Sequence, residues 1–396
     1  MKFKCSDRME PLKPSTIREM LKYISDPTVI SLAGGNPSAD LFPAKELLDV
    51  TADVLKNEAA LALQYGITEG YPPLVKQIRE RLKSKYGIDT PGDEILITHG
   101  GQQVIDLATK CLVNEGDTVI TENPSFIGAL NTFRSFRANL VGVPMDNDGM
   151  DVDYLENVLK TEKNVKLIYT IPTFQNPMGV TMTPERRKRL YELAVKYDVP
   201  VVEDSPYFEL TYSGEITLPI KSLDKTGHVI YAGSFSKVIS PGLRLGYAVG
   251  PAELIAKMTV AKQGEDVCNN QLTMVTVSRY LERYDLDEHI GHCCAAYSKK
   301  RDYMLECIDK YFDKRVTHTR PGGGIFIWCD LPEGYSGTDL WRFALEHKVA
   351  CVPGSTFDVK LDPKNRGFRL NFSLPSFEEI EKGCRIMGEC IREFLK

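Results

Sequence analysis

Lys237 stands in Ser234-Phe235-Ser236-Lys237, just past an apolar run at 228–232, with Arg244 a short way downstream in Pro241-Gly242-Leu243-Arg244-Leu245-Gly246. Most loop lysines are solvated cations. An amine beside positive charge and partly buried is different: its pKa falls and it becomes a nucleophile toward carbonyl carbon, as Schiff-base chemistry requires. Ser234, Ser236 and Arg244 would then be placed to clamp a phosphate, since arginine suits bidentate recognition. Asp204 closes a second apolar run, at 199–203, and Pro206-Tyr207 follow. A carboxylate there either caps a turn or keeps the ring nitrogen of an electron-sink pyridine protonated. Asn176 and Tyr207 can donate to a phenolate oxygen on such a ring, although Asn176-Pro177 also has ordinary turn chemistry.

Three further places carry the same double reading. His99-Gly100-Gly101-Gln102-Gln103 passes from a strand pattern into a helical one. Helix N-terminal amides form an anion site and the glycines clear room for close approach, but Gly-Gly pairs also mark plain turns. Phe126, near a helix start, either stacks on an aromatic ring or belongs to the core. Arg369 lies inside the apolar run Phe368-Arg369-Leu370-Asn371-Phe372. A buried charge needs a partner, here either a structural carboxylate or the α-carboxylate of a substrate.

The elements that must position these groups follow from hydrophobic periodicity. Apolar runs at 95–98, 118–121, 140–143, 166–171, 199–203, 228–232 and 245–249 alternate with helical patterns at 101–113, 125–136, 152–159 and 184–197. Helical spacing also covers 44–60 and 71–86, after a loop-rich start with one short strand at 29–33. Near-continuous apolar strands separated by helices predict an α/β fold with a mostly parallel seven-stranded sheet sandwiched by helices. Ligands of such sheets bind beyond the carboxyl ends of the strands, where the residues above fall. Helices at 252–262, 271–283 and 288–312 lead to strands at 324–329, 350–352 and 369–372 with helices at 338–347 and 377–394, which predicts a smaller α+β domain. The expected division is an N-terminal segment, 1–43, packing with the small domain and covering the site, a large domain, 44–287, and a small domain, 288–396.

Composition narrows the function classes. The 396 residues are 42% hydrophobic and 26% charged with net charge −5, an ordinary globular balance with room for two domains. No basic run offers a footprint for nucleic acid or an anionic membrane. Neither a signal-peptide pattern nor a membrane-length apolar stretch is expected, so the chain is predicted to be cytoplasmic. Ten scattered cysteines, none in a C-x-x-C pair, predict reduced, inert thiols, and the six dispersed histidines predict no metal. His99 and His228, beside strands, are expected in supporting roles.

Taken together, Ser-Phe-Ser-Lys with Pro-Gly-Leu-Arg-Leu-Gly (234–246), Asn-Pro-Met-Gly (176–179) and Glu-Asp-Ser-Pro-Tyr (203–207) resemble fold-type I pyridoxal-phosphate enzymes, specifically the class I/II aminotransferases. The likeness runs from Ser-Leu-Ala-Gly-Gly (31–35) to Arg369. Ser-Thr-Ile-Arg-Glu (15–19) and residues 31–37 look like the 2-aminoadipate/kynurenine aminotransferase branch. The resemblance implies pyridoxal 5'-phosphate held by Lys237 as a Schiff base, with Lys237 also the proton shuttle. It implies Asp204 on the ring nitrogen, Asn176 and Tyr207 on the phenolate oxygen, and Phe126 stacked on the ring. Gly101, Gln102, Ser234, Ser236 and Arg244 would hold the phosphate. Arg369, with Asn176 and the backbone at Gly35, would bind the substrate carboxylate. Tyr65 would reach the phosphate of a neighbouring subunit, which implies a homodimer with shared sites. Many relatives have serine or alanine where this chain has Gly101, so a hydroxyl contact would be replaced by backbone amides.

The implied reaction passes an amino group from an L-amino acid, 2-aminoadipate, aromatic or other, to a 2-oxo acid such as 2-oxoglutarate in two half-reactions. Arg18, on the N-terminal segment, would recognise a distal carboxylate or be an ordinary surface arginine. The alternatives are a lyase or decarboxylase on the same cofactor, or a non-catalytic regulatory module. The second is disfavoured because only about forty residues precede the alternating pattern, with no basic recognition helix.

Overall fold

Val- and Ile-rich runs bounded by caps and turns fold into strands here because burial on both faces rewards them along their whole length. The computed structural model describes residues 4–9, 26, 28–212, 214 and 216–396. The predicted contact of Arg18, and the 15–19 motif, lie outside the described residues. The chain runs through β1 (Ile30–Ser31), α1 (Ala44–Asn57), α2 (Pro72–Tyr86), β2 (Asp93–Thr98), α3 (Gly101–Leu112), β3 (Thr118–Asn123) and α4 (Ile127–Ser135). It continues with β4 (Asn139–Asp146), β5 (Gly149–Met150), α5 (Val152–Thr161), β6 (Val165–Thr170), α6 (Pro184–Tyr197), β7 (Val201–Asp204), β8 (Val229–Ser234) and β9 (Gly246–Pro251).

These strands make one sheet in the order β2-β9-β8-β7-β6-β3-β4-β5. The run from β8 to β4 is parallel, while β9 is antiparallel to both of its neighbours. All seven predicted runs are strands of this sheet. The eighth member, β5, is a two-residue hairpin return on β4, too short to carry a period in sequence. Helix α6 begins where Thr183 accepts from the Arg186 amide and Pro184 fills the first turn. Asp151 caps α5 in the same way.

One face of the sheet packs Leu96, Val119, Leu167, Val202 and Ile230 against α3 and α4. The other packs Ile120, Ile168 and Val201 against Leu155 of α5 and Leu190 of α6. Each such side chain, fully removed from water, contributes about 2 kcal/mol. Each of these clusters therefore outweighs any surface ion pair.

Beyond the sheet come α7 (Ala252–Gln263), α8 (Gln271–Arg283), α9 (Leu286–Tyr311), β10 (Thr317–His318), β11 (Phe326–Asp330), α10 (Gly337–Glu346), β12 (Val349–Ala350), β13 (Val352–Pro353), β14 (Gly367–Asn371) and α11 (Phe377–Phe394). A second, antiparallel sheet has the order β10-β11-β14-β13. The single strand expected at 350–352 is divided. β12 pairs in parallel with β1 of the N-terminal segment, whereas β13 pairs with β14. Helix α9 spans both bodies: Leu286 and Ile290 lie in the core beside the large sheet, and Met304 and Ile308 lie under the small one. Among the described residues no helix is long and apolar enough to cross a membrane.

The strand ends are brought together by glycine. A Cβ on Gly246 would lie 2.7 Å from two backbone atoms of Gly100 and 2.9 Å from the Gly233 carbonyl oxygen. Backbone cannot give way as a side chain can, so Gly246→Ala is expected to destabilise by roughly 1–3 kcal/mol. It should lower the thermal midpoint, and an unchanged midpoint would contradict this close packing.

Candidate active site

Asp204 is the last residue of β7 and Ser234 the last of β8; Gly101 opens α3 directly beyond β2, and Phe126 precedes α4 beyond β3. Asn176 lies in the loop after β6, Arg369 is central in β14, and Gly35 follows β1. Together with Gln102, Tyr207, Ser236, Lys237 and Arg244 they line one cavity of about 440 Å³. Of the residues proposed from sequence to hold cofactor or substrate, Tyr65 is the one within the described residues that does not line it. That side chain is 81% exposed on its own chain.

At one end of the cavity the parts suit an anion. Gly100 has φ +80 and precedes α3, so the first amides of that helix point outward without Cβ obstruction. Arg244 Nη2 donates to the His99 carbonyl at 2.7 Å, and a Cβ on Gly100 would collide with that nitrogen at 2.7 Å. The glycine is therefore required by the arginine. His99 contributes through its carbonyl, with its ring 3.4 Å from Asp266, while His228 bonds Thr226 and Asp198 away from the cavity. The Ser236 amide donates to Ser234 Oγ, which folds the two hydroxyls into one turn.

At the opposite end Arg369 is fully buried. Its Nη1 donates to Asn176 Oδ1 and its Nη2 to the Ala33 carbonyl, both at 2.8 Å, and Nε has no partner. Phe326 and Phe357 flank the guanidinium at 4.0 and 4.9 Å from their ring centroids. Among the described residues no carboxylate pairs with it. Burial pulls its pKa down to about 10. Arg187 is equally buried, but its N–H groups are taken up by the Met182, Thr217, Leu218 and Pro172 carbonyls and the Thr173 hydroxyl. Arg187 is a structural tie, whereas Arg369 lines the cavity and keeps an unpartnered Nε.

Between the two ends sits Lys237, its Nζ donating to the Gly35 carbonyl at 2.8 Å. Burial, then the charges of Arg369 and Arg244, bring its pKa down from 10.5 to about 8. Asp204 is pushed up to about 6 by burial, against which the hydroxyl of Tyr169 donates to Oδ2 at 2.7 Å. Among the described residues Oδ1 accepts no hydrogen bond, and a Cβ on Gly101 would press on it at 3.4 Å. Tyr207 stands edge-on to Phe326 with ring centroids 5.6 Å apart. Its phenol is held protonated by burial, with Arg369 and the Asn176 amide opposing. The arrangement can hold an anion, a protonated ring nitrogen and a carboxylate around one amine that is half neutral near pH 8.

Sequence reasoning missed two buried residues, Tyr169 and Glu122. Glu122 accepts from the Thr170 hydroxyl at 2.5 Å, the Ile171 amide at 3.1 Å and Gln175 Nε2 at 2.9 Å. Gln175 Nε2 also donates to the Pro124 carbonyl. The carboxyl, pushed up to about 7 by burial, thus ties the loop before Phe126 to the loop carrying Asn176. Its signal was a lone acid at the end of an apolar strand, the pattern that marked Asp204. Among the described residues no group of His, Cys, Asp or Glu is arranged to hold a metal.

In cofactor-free protein, labelling of Lys237 by an amine-directed reagent, followed by peptide mapping, should be half-maximal near pH 8. Only the neutral amine reacts, so reactivity rises with pH through that value. Arg369→Met should move the midpoint upward by removing a repelling charge. A wild-type midpoint with the surface lysines above pH 10 would refute the tuning.

Residues 27–387 match the family described as aminotransferase class I and II. The chain is 42% identical over 395 residues to aromatic-amino-acid aminotransferase 1 of Thermococcus litoralis, covering 99% of this chain and 94% of the relative. It superposes with TM-score 0.96 and 41% identity on kynurenine aminotransferase of Pyrococcus horikoshii, solved in complex with PMP, KYN and KYA, covering 99% and 98% of the two chains. With the alpha-aminoadipate aminotransferase of Thermus thermophilus, complexed with N-(5'-phosphopyridoxyl)-L-leucine, it shares 36% identity at TM-score 0.91, covering 99% and 98%. With the strand-end site in place and the match running through nearly its full length, the chain belongs to the class I and II aminotransferases.

Proposed function

We propose that this chain is a pyridoxal-phosphate-dependent aminotransferase that moves the α-amino group of an L-amino acid to a 2-oxo acid, 2-oxoglutarate among them. The observation that carries this reading is the buried, depressed-pKa amine of Lys237 sharing one cavity with an unpaired guanidinium at Arg369 and the half-free carboxyl of Asp204. The residues fit the cofactor. Arg244, the α3 amides at Gly101 and Gln102, and Ser234 and Ser236 would hold its phosphate. Asp204 Oδ1 would hold the ring N–H, Phe126 would stack on the ring, and Lys237 would hold the cofactor covalently. Asn176 uses Oδ1 on Arg369, which leaves its amide nitrogen, with the Tyr207 hydroxyl, to donate to the phenolate oxygen. Solved relatives that carry PMP or a phosphopyridoxyl amino acid support the same choice.

When bound, pyridoxal phosphate supplies the electron sink that stabilises a carbanion at the amino-acid α-carbon. The chain supplies orientation and proton transfer. Arg369 fixes the α-carboxylate, assisted by Asn176 and the Gly35 backbone, so that the α-proton meets Lys237. Nζ would take that proton from the α-carbon and deliver it to the cofactor side of the C–N bond rather than back to the α-carbon, which requires a pKa near the working pH. Asp204 keeps its single negative charge against the ring because Tyr169 already satisfies the other oxygen.

We further propose a homodimer in which Tyr65 completes the partner's phosphate site. In support, Leu63, Tyr65 and Ile67 expose 68, 81 and 56% of their surfaces within one short segment, and Ile67 and Val260 line one surface hollow, an apolar grouping of the kind a partner covers. A large and a small unit are supported by the separate sheets, and the N-terminal segment's packing with the small one by β1 on β12, although the 287/288 boundary falls inside α9. A cytoplasmic setting is supported by ten free cysteines, of which Cys293, Cys294, Cys307, Cys351 and Cys390 have thiol pKa values pushed up to between about 11 and about 12 by burial.

Purified protein given an amino acid alone should convert its cofactor to pyridoxamine phosphate, and 2-oxoglutarate should restore the pyridoxal form. Lys237→Ala should hold no borohydride-reducible covalent cofactor. A cofactor that never reaches the pyridoxamine form sinks the aminotransferase reading and leaves the lyase. Arg369→Met should lower kcat/KM for amino acids on the order of 100-fold, the loss of about 3 kcal/mol of charge-assisted hydrogen bonding.

Mixing Lys237→Ala with Tyr65→Phe chains tests the shared site. A tyrosine acting across the dimer gives each heterodimer one intact site and recovers activity. Recovery fails if Tyr65 serves its own chain.

A further inference from the structure

Residues opposite one another in parallel strands point to the same face, and alternate residues of one strand share a face. Tyr169 on β6 stands opposite Val202 on β7, so Tyr169, Val202 and Asp204 all face α3 and α4. Tyr169 is fully buried, in edge contact with Phe133 of α4 at 5.6 Å between ring centroids. That contact fixes the ring, and its hydroxyl then reaches Asp204 Oδ2 at 2.7 Å. Among the described residues this is the sole side-chain hydrogen bond to Asp204.

We propose that Tyr169 is a positioning residue for the cofactor's ring nitrogen: by occupying Oδ2 it orients Asp204 and keeps it ionised, leaving Oδ1 free to take the ring N–H. The inference rests on the cofactor reading above and adds a residue to it. A phenol is suited to the task. It donates one hydrogen bond without bringing a second charge, so the carboxylate keeps its full charge for the ring. A cation at position 169 would neutralise Asp204 and weaken its hold on the ring proton. Burial raises the Asp204 pKa to about 6, so without the donor the carboxyl would protonate at higher pH still. The other titratable groups nearby are Tyr207, beyond the end of β7, and Glu122, on the opposite face of the sheet. Lys237 and Arg244 line the same cavity.

Tyr169→Phe removes the hydroxyl and keeps the ring against Phe133. The test is the dissociation constant of pyridoxal phosphate, measured by fluorescence on cofactor-free protein between pH 5 and 9, for wild type, Tyr169→Phe, Asp204→Asn and the double variant. Affinity should weaken about tenfold in Tyr169→Phe, and the acid-side loss of affinity should shift upward by about one pH unit. Asp204→Asn has no titrating carboxyl at this position, so adding Tyr169→Phe to it should change little. For turnover, kcat should fall while the KM for amino acid stays nearly constant, because Arg369 is untouched.

Equal effects of Tyr169→Phe with and without Asp204 would show a merely structural tyrosine and overturn the proposal. So would a pH profile that does not move. Wild-type protein that takes up no pyridoxal phosphate would overturn the proposed function itself, whereas normal uptake with an unaltered Tyr169→Phe profile overturns the tyrosine's role alone.

Discussion

Arg369 is a fully buried guanidinium whose hydrogen bonds end on neutral oxygens, and that is an expensive state for a cation. Its two protein contacts belong to different parts of the chain: Asn176 on a loop of the large sheet and Ala33 on the N-terminal segment. Arg369 itself rides on β14 of the small sheet. The charge is tolerable only where three segments converge, with Phe326 and Phe357 supplying their ring faces from either side. What the protein oxygens leave unsatisfied, a carboxylate can satisfy. The same cation thus fixes how the parts meet and what they can receive.

The amine of Lys237 inherits its properties from that arrangement. It is buried in the same cavity and repelled by Arg369 from one side and Arg244 from the other. Neither arginine is neighbour to the lysine through regular secondary structure. Arg244 is held by the His99 carbonyl in the turn before α3, and that turn passes over Gly246 with no room for a side chain. A packing constraint at the edge of the sheet therefore helps set the position of a cation relative to the buried amine. Stability and chemistry share residues here, which is why backbone glycines count as part of the site.

Much of this was legible in sequence because most of the functional side chains interrupt an apolar pattern. Asp204 and Ser234 end buried strands, Arg369 stands within one, and Lys237 follows a short turn from Ser234. Such polar residues are costly unless used, and they stand out. Tyr169 does not: inside Leu167-Ile168-Tyr169 it reads as one more core aromatic, and its role depends on β6 lying next to β7, a neighbour relation that chain order does not state. Glu122 carried a visible signal, but its partner Gln175 belongs to a loop after a different strand. The strand expected at 350–352 was divided because one apolar run serves two partners, β1 and β14, and composition cannot separate them. Tyr65 is exposed on its own chain, so a single chain gives it nothing to touch.

The consecutive acids Glu203 and Asp204 show how finely register governs the outcome. Both are buried and both close β7. Glu203 faces the side of the sheet where the Ile220 and Lys221 amides bond its two oxygens, at 2.9 and 2.8 Å, and its capacity goes into the fold. Asp204, one residue on, faces the other way, where a single phenol takes one oxygen and the second, among the described residues, accepts no hydrogen bond. Two neighbouring carboxylates of similar chemistry thus differ because strand side chains alternate. Sliding β7 by one residue would exchange their faces, placing the saturated position toward the cavity and the free one in the core. Val201 and Val202 would only trade one apolar layer for the other in such a slip; what opposes it is the loss of the Glu203 bonds to the Ile220 and Lys221 amides and of the Tyr169 bond to Asp204. Polar bonds specific to one register, more than the hydrophobic layers that would accept either, are therefore what keep a half-free carboxylate in the cavity.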